Sequence, residues 1–247
     1  MTRLLVIQPG DDDPPTRLGD WLSSAGAELD VVRPYEAPLP DLDGYRGVVC
    51  LGGAMGALDD AEHPWLADVR ALLSRAVAKK VPLLAICLGA QLLAAATGGQ
   101  VRRGRHGPEV GVLLVAKRDV AGRDPLFADL PWTPDVLQFH EDEISLLPPA
   151  AELLASSPKY ANQAFRVGES AYGLQFHIET TSEMVLGWAA NSPDAAACAR
   201  PGQLDPDQLD QGHADIAEVW RPFAERFVRL AAGELAPAGR GVGLPLV

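Results

Sequence analysis

The sequence predicts an α/β fold in which helices flank a mostly parallel central sheet. Along the first third of the chain, the spacing of apolar side chains alternates between a period of two and a period of about three and a half. Pro15 and Pro64 stand at the start of two helical stretches, where the missing N–H of proline is tolerated. Strands that alternate with helices form parallel sheets, because each helix returns the chain to the same edge. With 247 residues, 47% of them hydrophobic, the chain can bury one such core plus additions.

The predicted elements alternate up to a short apolar run that ends at Ile86. Gly26 follows the first helical stretch, as is typical after a helix end. The segment 48–51 is apolar throughout, which indicates a strand that is buried on both faces. We expect strands at 3–7, 28–33, 48–51 and 82–86, and helices at 15–25 and 64–79.

The second half changes to short strands separated by turn residues, which predicts a β-rich part of the same domain. We place this α/β domain at 1–190, and at 191–247 a helical extension with a mobile tail that packs on the same domain. Pro222 should kink or interrupt the long amphipathic helix expected at 209–232. The other elements expected are strands at 110–116, 135–139, 164–167 and 171–176, and a helix at 181–189.

Charge and hydropathy exclude several classes of function. Acidic residues outnumber basic ones by 33 to 21, so the formal net charge is −12 and a nucleic-acid-binding surface is not expected. Arg102, Arg103 and Arg105 form the one basic cluster, which either contacts a phosphate or partner or faces solvent. No apolar stretch reaches the length of about 18 residues that a membrane helix needs, and no signal-peptide pattern precedes the first strand. We therefore expect a soluble, cytoplasmic protein.

The three cysteines, at uneven spacing, predict neither a disulfide framework nor a metal site. Cys50 ends an apolar run and is interpreted as a core residue, whereas Cys198 has no base nearby and is interpreted as incidental. We expect no metal and no cofactor. The acidic run 11–13 precedes a helix start and is interpreted as a solvated loop rather than a binding cluster.

Cys87 lies where an apolar strand turns directly into a helical pattern, in the segment PLLAICLGAQLLAAATGG. A turn this short gives the residue at the bend a strained backbone conformation, as in the nucleophile elbow of hydrolases. The free N–H groups and the positive dipole end of the following helix favour a thiolate there. A buried, inert thiol is the alternative, because free cysteine is usually a small hydrophobic residue.

A candidate base follows in AYGLQFHIETT, where His177 ends a short strand and Glu179 comes two residues later. Side chains two residues apart on an extended segment share a face. The Glu179 carboxylate can therefore hold one imidazole nitrogen while the other nitrogen faces a thiol. This pattern predicts a Cys87–His177–Glu179 triad.

These segments resemble the nucleophile motif and the closing His-x-Glu motif of class I glutamine amidotransferases. The likeness extends to LGGAMGALDD, GPEVGV, FHED and YANQAF and is strongest to the stand-alone, GMP-synthetase-like branch. It implies a flavodoxin-like α/β fold. Two positions depart from the usual pattern, since Glu141 and Ala85 each stand where the family commonly has Gly.

The resemblance also implies roles for the residues around the triad. The backbone N–H groups of Gly53 and Leu88 would form the oxyanion hole, although the two glycines of LGGAM could simply make a tight turn. Substrate contacts are expected from Gly52, Gln91, His140 and Glu141, although Gln91 could equally be a plain helix-surface residue.

The expected function is a cytoplasmic glutamine amidotransferase or glutaminase that releases glutamate and ammonia through a thioester on Cys87. One alternative is a γ-glutamyl peptidase or hydrolase that acts on glutathione-like compounds. A second alternative is a non-catalytic binding module of the same fold. The expected partners are a small-molecule substrate and, for an amidotransferase, a separate synthetase subunit that accepts the ammonia.

Overall fold

The structure is a computed structural model that describes residues 1–149 and 151–239, and it confirms the α/β class. Residues 240–247, where much of the expected mobile tail falls, lie outside the described part. Its strands are β1 (Thr2–Ile7), β2 (Ala27–Val32), β3 (Gly47–Cys50), β4 (Leu83–Ile86), β5 (Gln100–Arg103), β6 (Glu109–Leu114), β7 (Ala116–Lys117), β8 (Asp135–His140), β9 (Asp142–Leu146), β10 (Ala151–Ser156), β11 (Ala164–Val167) and β12 (Ala171–Leu174). The helices are α1 (Thr16–Ser24), α2 (Trp65–Ala78), α3 (Leu88–Ala96), α4 (Ser182–Asn191), α5 (Pro193–Ala196) and α6 (Pro206–Ala232).

In the described residues, the central sheet has eight strands in the order β2-β1-β3-β4-β12-β11-β10-β7. The first five of these strands run parallel, and the pairs from β12 to β7 are antiparallel. Two small antiparallel sheets, β5-β9 and β6-β8, lie beside it. The mostly parallel sheet places the ends of β3, β4 and β12 at one edge, which is where ligands bind in open α/β sheets.

The last strand is shorter than predicted, because β12 ends at Leu174 rather than at residue 176. Beyond it, His177 forms an antiparallel bridge with Leu137 of β8, with N···O distances of 2.8 and 3.2 Å in the two directions. The chain therefore leaves the central sheet at Gln175 and pairs with a small sheet instead. This exchange of partners carries His177 over the edge where β4 ends.

Helix α6 continues through Pro222, so the expected interruption is wrong. Pro222 and Glu218, whose carbonyl loses its usual donor, both lie on the exposed face of the helix, where water can replace the missing hydrogen bond. The opposite face packs into an aromatic cluster, with ring centroids 5.2 Å apart between Trp220 and Phe176. The Trp220 indole also donates to the Asp135 carbonyl at 2.9 Å, so tertiary packing holds the helix in the turn that contains the proline.

The basic cluster at 102–105 is partly neutralised by acidic side chains. Arg102 pairs with Glu143 across the β5-β9 sheet at 2.8 Å, and Arg103 forms an ion pair with Glu141.

Among the described residues, no helix is long and apolar enough to cross a membrane, and no group of three or more His, Cys, Asp or Glu side chains is placed to hold a metal ion.

Candidate active site

Cys87 occupies the bend between β4 and α3 in a strained conformation. Its φ of +50° and ψ of −108° lie in a region that residues other than glycine rarely adopt. Two backbone hydrogen bonds maintain the bend, since the Cys87 N–H donates to the Leu174 carbonyl at 2.7 Å and the Cys87 carbonyl accepts from Gln91 at 3.0 Å. The side chain is 7% exposed and lies at the start of α3, whose first N–H groups have no acceptor within the helix. Strain at such a site indicates function.

Gly89 permits α3 to start this close to the end of β3. A Cβ added at this position would lie 2.3 Å from the Cys50 carbonyl oxygen, which is less than any real contact allows. The neighbouring atom belongs to backbone inside the central sheet and cannot move aside. The glycine two residues after Cys87 is therefore required by a specific tertiary contact, in addition to the turn itself.

His177 and Glu179 form a buried pair. The imidazole Nδ1 and the Glu179 Oε1 are 2.6 Å apart, and the second carboxylate oxygen accepts the Ile178 N–H at 2.9 Å. The two residues are 2% and 1% exposed. The other ring nitrogen, Nε2, is buried and makes no hydrogen bond to any described residue, so it is the nitrogen available for proton transfer.

Charge on both sides of the ring favours the imidazolium form of His177. Burial alone would lower the pKa of His177, but the negative charges of Glu179 and Cys87 outweigh it and hold that pKa well above its usual value. The interaction places Cys87 within electrostatic reach of the ring. An imidazolium at this position would in turn stabilise negative charge that develops on the Cys87 sulfur.

The turn that follows β3 touches both the nucleophile helix and the base. A Cβ on Gly53 would lie 2.8 Å from the Leu88 Cδ2, and a Cβ on Gly52 would lie 3.3 Å from the His177 Cε1. A side chain at either position would crowd its neighbours, so glycine keeps the backbone of this turn close to α3 and to the base. The turn thus places Gly53, one predicted oxyanion donor, against the side chain of Leu88, the other, which directly follows Cys87.

Gln91 points inward rather than to solvent, and it contacts a residue that the sequence analysis did not single out. It is 4% exposed, and its Nε2 donates to Gln175 Oε1 at 3.3 Å. Gln175 in turn places its Nε2 3.8 Å from the Cys87 sulfur, within hydrogen-bonding range of a thiolate. The sequence did contain a signal for this residue, because Gln175 directly follows the last strand and precedes His177 by two residues.

The side chains of His140 and Glu141 are engaged with the protein. His140 has one ring nitrogen 2.7 Å from the Asp142 carbonyl and the other 3.2 Å from the buried Glu109 carboxylate. Glu141 forms its ion pair with Arg103. Substrate contacts at this segment would therefore come from its backbone, unless these pairs open.

Asp13 departs from its interpretation as a solvated loop residue. Asp11 and Asp12 are exposed, but Asp13 is 9% exposed, with Oδ1 3.2 Å from the position of a Cβ on Gly52. Burial raises the pKa of Asp13 to about 6, against the opposing attraction of the His177 charge. The sequence alone does not distinguish the three aspartates, because they are identical neighbours. The turn before α1 directs only Asp13 inward.

Helices α1 and α4 enclose the base. The Trp188 ring of α4 lies 4.8 Å from the His177 ring between centroids, and its Nε1 donates to the Asp12 carbonyl at 3.1 Å. At the start of α1, the Thr16 hydroxyl donates to the Glu179 carbonyl. The loop 10–13 and these two helices thus shield the His177–Glu179 pair from water.

Known proteins resemble the chain in both sequence and fold. A 170-residue segment is 28% identical to γ-glutamyl peptidase 4 of Arabidopsis thaliana and covers 67% of each chain. A 150-residue segment, 60% of this chain, is 32% identical to a GMP synthase [glutamine-hydrolyzing] of Christiangramia forsetii, but it spans only 27% of that protein.

Among solved structures, a glutamine amidotransferase from Thermotoga maritima matches with a TM-score of 0.80 and 31% identity, over 92% of this chain and 98% of that one. A glutamine amido transferase from Methylobacillus flagellatus matches with a TM-score of 0.79 and 29% identity, over 98% of both chains. The family model described as glutamine amidotransferase class-I matches residues 17–184, which hold Cys87, His177 and Glu179. The chain therefore belongs to the class-I glutamine amidotransferase family.

Proposed function

We propose that the protein hydrolyses the side-chain amide of glutamine to glutamate and ammonia through a thioester on Cys87. The observation that carries this proposal is the strained cysteine beside a buried His177–Glu179 pair. A thiol held in this way, at a helix start and next to an imidazolium, is a nucleophile at neutral pH. The same chemistry is supported by the 32% identity of a 150-residue segment to a protein named GMP synthase [glutamine-hydrolyzing].

In the first half-reaction, the Cys87 thiolate attacks the carbonyl carbon of the glutamine side chain. A C–S bond forms and the carbonyl electron pair moves to oxygen, where the N–H groups of Gly53 and Leu88 would stabilise the charge. When the pair returns, the C–N bond breaks and the nitrogen takes a proton from His177. The products are ammonia, neutral His177 and a γ-glutamyl thioester.

In the second half-reaction, neutral His177 accepts a proton from water as the water oxygen attacks the thioester carbonyl. The C–S bond then breaks, which releases glutamate and restores the thiolate–imidazolium pair. Glu179 holds Nδ1 throughout, so that Nε2 alone exchanges protons. Trp188 and the loop 10–13 limit the access of water to the pair, which matches a mechanism in which water is needed only at this step.

The released ammonia would pass to a separate synthetase subunit. The GMP synthase [glutamine-hydrolyzing] of Christiangramia forsetii is matched over 27% of its length, so most of that protein lies outside the matched segment. We propose a partner that consumes ammonia and docks near the carboxyl edge of the sheet, where Cys87 lies.

A γ-glutamyl peptidase is the second candidate. It is favoured by the match to γ-glutamyl peptidase 4, which covers two thirds of both chains. The same thioester would form, but the leaving group would be the amine of an amino acid or peptide rather than ammonia. The two candidates therefore differ in what the site accepts on the far side of the scissile C–N bond.

The deciding experiment measures glutamate release by the purified protein with glutamine, glutathione and a set of γ-glutamyl dipeptides, and uses Cys87→Ala as the blank. We expect turnover of glutamine above the other compounds. A preference for γ-glutamyl peptides would replace the first candidate by the second. If nothing is turned over, and a glutamine-mimicking electrophile does not label Cys87 in the folded protein, the fold serves as a binding module instead.

A further inference from the structure

Asp13 is a buried carboxylate that the reaction described above does not use. It is 9% exposed, and within residues 1–149 and 151–239 its carboxylate accepts no hydrogen bond and forms no ion pair within 4 Å. Transfer of a carboxylate out of water without such partners is strongly unfavourable. Burial accordingly raises the pKa of Asp13 to about 6, so the group is still largely ionised at pH 7.5. A largely buried carboxylate without a hydrogen-bonding partner, next to a candidate base, is typical of a functional site.

The position of Asp13 relates it to the reacting atoms through Gly52. A Cβ on Gly52 would lie 3.2 Å from the Asp13 Oδ1 and 3.3 Å from the His177 Cε1, so the carboxylate and the imidazole edge border the same small space. Gly52 is followed by Gly53, the candidate oxyanion donor. The Asp13 carboxylate therefore lies beside the base, on the side of the ring that faces the β3 turn.

This side corresponds to the leaving group. In the proposed reaction, His177 delivers its proton to the departing nitrogen, so that nitrogen and its substituent must lie next to the ring. We assign the glutamyl part to Gln91 and the backbone around His140, which are segments predicted to contact the substrate. On this assignment, what is attached to the nitrogen lies at the imidazole edge that Asp13 also borders.

We propose that Asp13 is a specificity-determining residue that favours the release of ammonia or a cationic amine and disfavours γ-glutamyl substrates whose leaving amine carries a carboxylate. The proposal rests on the proposed hydrolysis at Cys87. A negative charge in a water-poor site repels a second one strongly, because the low effective dielectric weakens screening. A neutral or positive leaving group meets no such repulsion, and a cationic amine gains a partner for its N–H groups.

Three charged groups act electrostatically on the Asp13 carboxylate. His177 attracts the carboxylate, Glu179 repels it from behind the ring, and Asp12 repels it from the exposed side of the loop. From α4, the uncharged Trp188 ring covers the base. The charge selectivity should therefore weaken in wild-type protein as the pH falls below about 6 and Asp13 becomes protonated.

The first experiment compares kcat/KM for γ-glutamylglycine and γ-glutamylglycinamide, which have the same length and differ in the leaving-group carboxylate. We expect wild-type protein to prefer the amide by about tenfold, and Asp13→Asn to reduce the preference to about twofold. The matched control is Asp12→Asn, which removes the same charge from the exposed neighbour and should keep the wild-type preference. An equal preference in wild type and Asp13→Asn would overturn the proposal even if both hydrolyse glutamine.

A second experiment tests the charge at Cys87 without turnover. In a Cys198→Ala background, which removes the exposed thiol, the rate of Cys87 modification is measured with a cationic and an anionic methanethiosulfonate of similar size. We expect the cationic reagent to react faster with wild type, and the ratio of rates to fall about tenfold in Asp13→Asn but not in Asp12→Asn. A ratio that Asp13→Asn does not change contradicts the role of Asp13. A changed ratio in a protein that hydrolyses none of the substrates supports the charge effect and refutes the proposed function instead.

Discussion

Two buried cysteines at the ends of neighbouring strands differ in what surrounds them. Cys50 is the last residue of β3, pairs in register with Ala85 of β4 and is fully buried. Burial raises the pKa of Cys50 to about 12, so its thiol stays neutral. Cys87 lies one residue beyond the end of β4, in a strained bend, with a helix start and the His177 ring beside it. The position relative to the strand end, and not burial, makes one thiol a candidate nucleophile and the other a core residue.

The strongest test of this comparison is removal of each sulfur in turn. Cys87→Ala should lower glutamine hydrolysis by about 10⁴-fold or more, because no covalent intermediate can form. Cys50→Ala should retain kcat and lower the free energy of unfolding by about 1 kcal/mol, since it leaves a small cavity in the core. Hydrolysis rates and urea unfolding of both variants provide the measurement. Loss of activity in a folded Cys50→Ala protein would mean that the nucleophile was assigned to the wrong thiol.

The close packing of α3 on the end of β3 can be tested by a substitution at Gly89. The added Cβ of Gly89→Ala would meet the Cys50 carbonyl oxygen at 2.3 Å, so we expect a loss of about 3 kcal/mol or more in stability, or a displaced bend with little activity. The matched control is Gly187→Ala in α4, where an added Cβ meets no atom within 4 Å among the described residues. This control should be as stable as wild type or more stable by about 0.5–1 kcal/mol. Thermal unfolding and hydrolysis of both variants decide the matter, and an unperturbed Gly89→Ala protein would refute the contact.

Asp13 extends the comparison to a buried carboxyl group, whose pKa burial also raises. Its pKa is raised from 3.8 to about 6, so the folded protein holds a proton that the unfolded chain has already lost between these pH values. The free energy of unfolding therefore falls as the pH rises from about 4 to 6, by up to about 3 kcal/mol. Asp13→Asn should remove this cost, which makes it more stable than wild type at pH 8 and similar to it at pH 4. Denaturant unfolding across this range is the measurement, and a stability difference that is the same at both pH values would contradict the burial of the charge.

Glu179→Gln sharpens the role of charge beside the candidate nucleophile. We expect kcat to fall about 100-fold, less than in Cys87→Ala, because the imidazole remains but loses the acceptor that orients it. The pKa of His177 is raised in the wild type, so kcat/KM should stay constant through pH 6.5 and decline only where the imidazolium loses its proton. With this negative neighbour of the imidazole removed, the alkaline limb of Glu179→Gln should move to lower pH. A pH–rate profile that is identical in the two proteins would show that this carboxylate does not set the protonation of the base.

Much of the fold could be predicted from the sequence, because its elements are local. Strands and helices were expected within one or two residues of β1, α1, α2 and β4, since apolar periodicity and the flanking Pro and Gly residues act within a few residues of the chain. A kink or an interruption was expected at Pro222, and the helix is not interrupted there, because packing of Trp220 on Phe176 outweighs the local effect of proline. The prediction was wrong at the end of β12, which stops early because His177 pairs with a distant strand.

In the candidate site, too, local features were predicted and contacts between distant segments were not. A spacing of two residues predicts that Glu179 reaches His177, and the two side chains are 2.6 Å apart. The same local reasoning treated Asp11, Asp12 and Asp13 alike, although the loop buries only the last of them. It did not single out Gln175, whose amide approaches the Cys87 sulfur, because that contact joins segments 88 residues apart.

By itself, the sequence determined the α/β class, the bend at Cys87, the pairing of His177 with Glu179 and the family, because each depends on residues close together in the chain. Only the tertiary structure decided that Gly89 must fit beneath the Cys50 carbonyl, that Gln175 lies against the sulfur and that Asp13 faces the base. These contacts depend on which distant segments the sheet order brings to one edge. Periodicity and spacing describe how each segment folds, whereas the burial of a charge and the proximity of a partner arise only when the segments pack together.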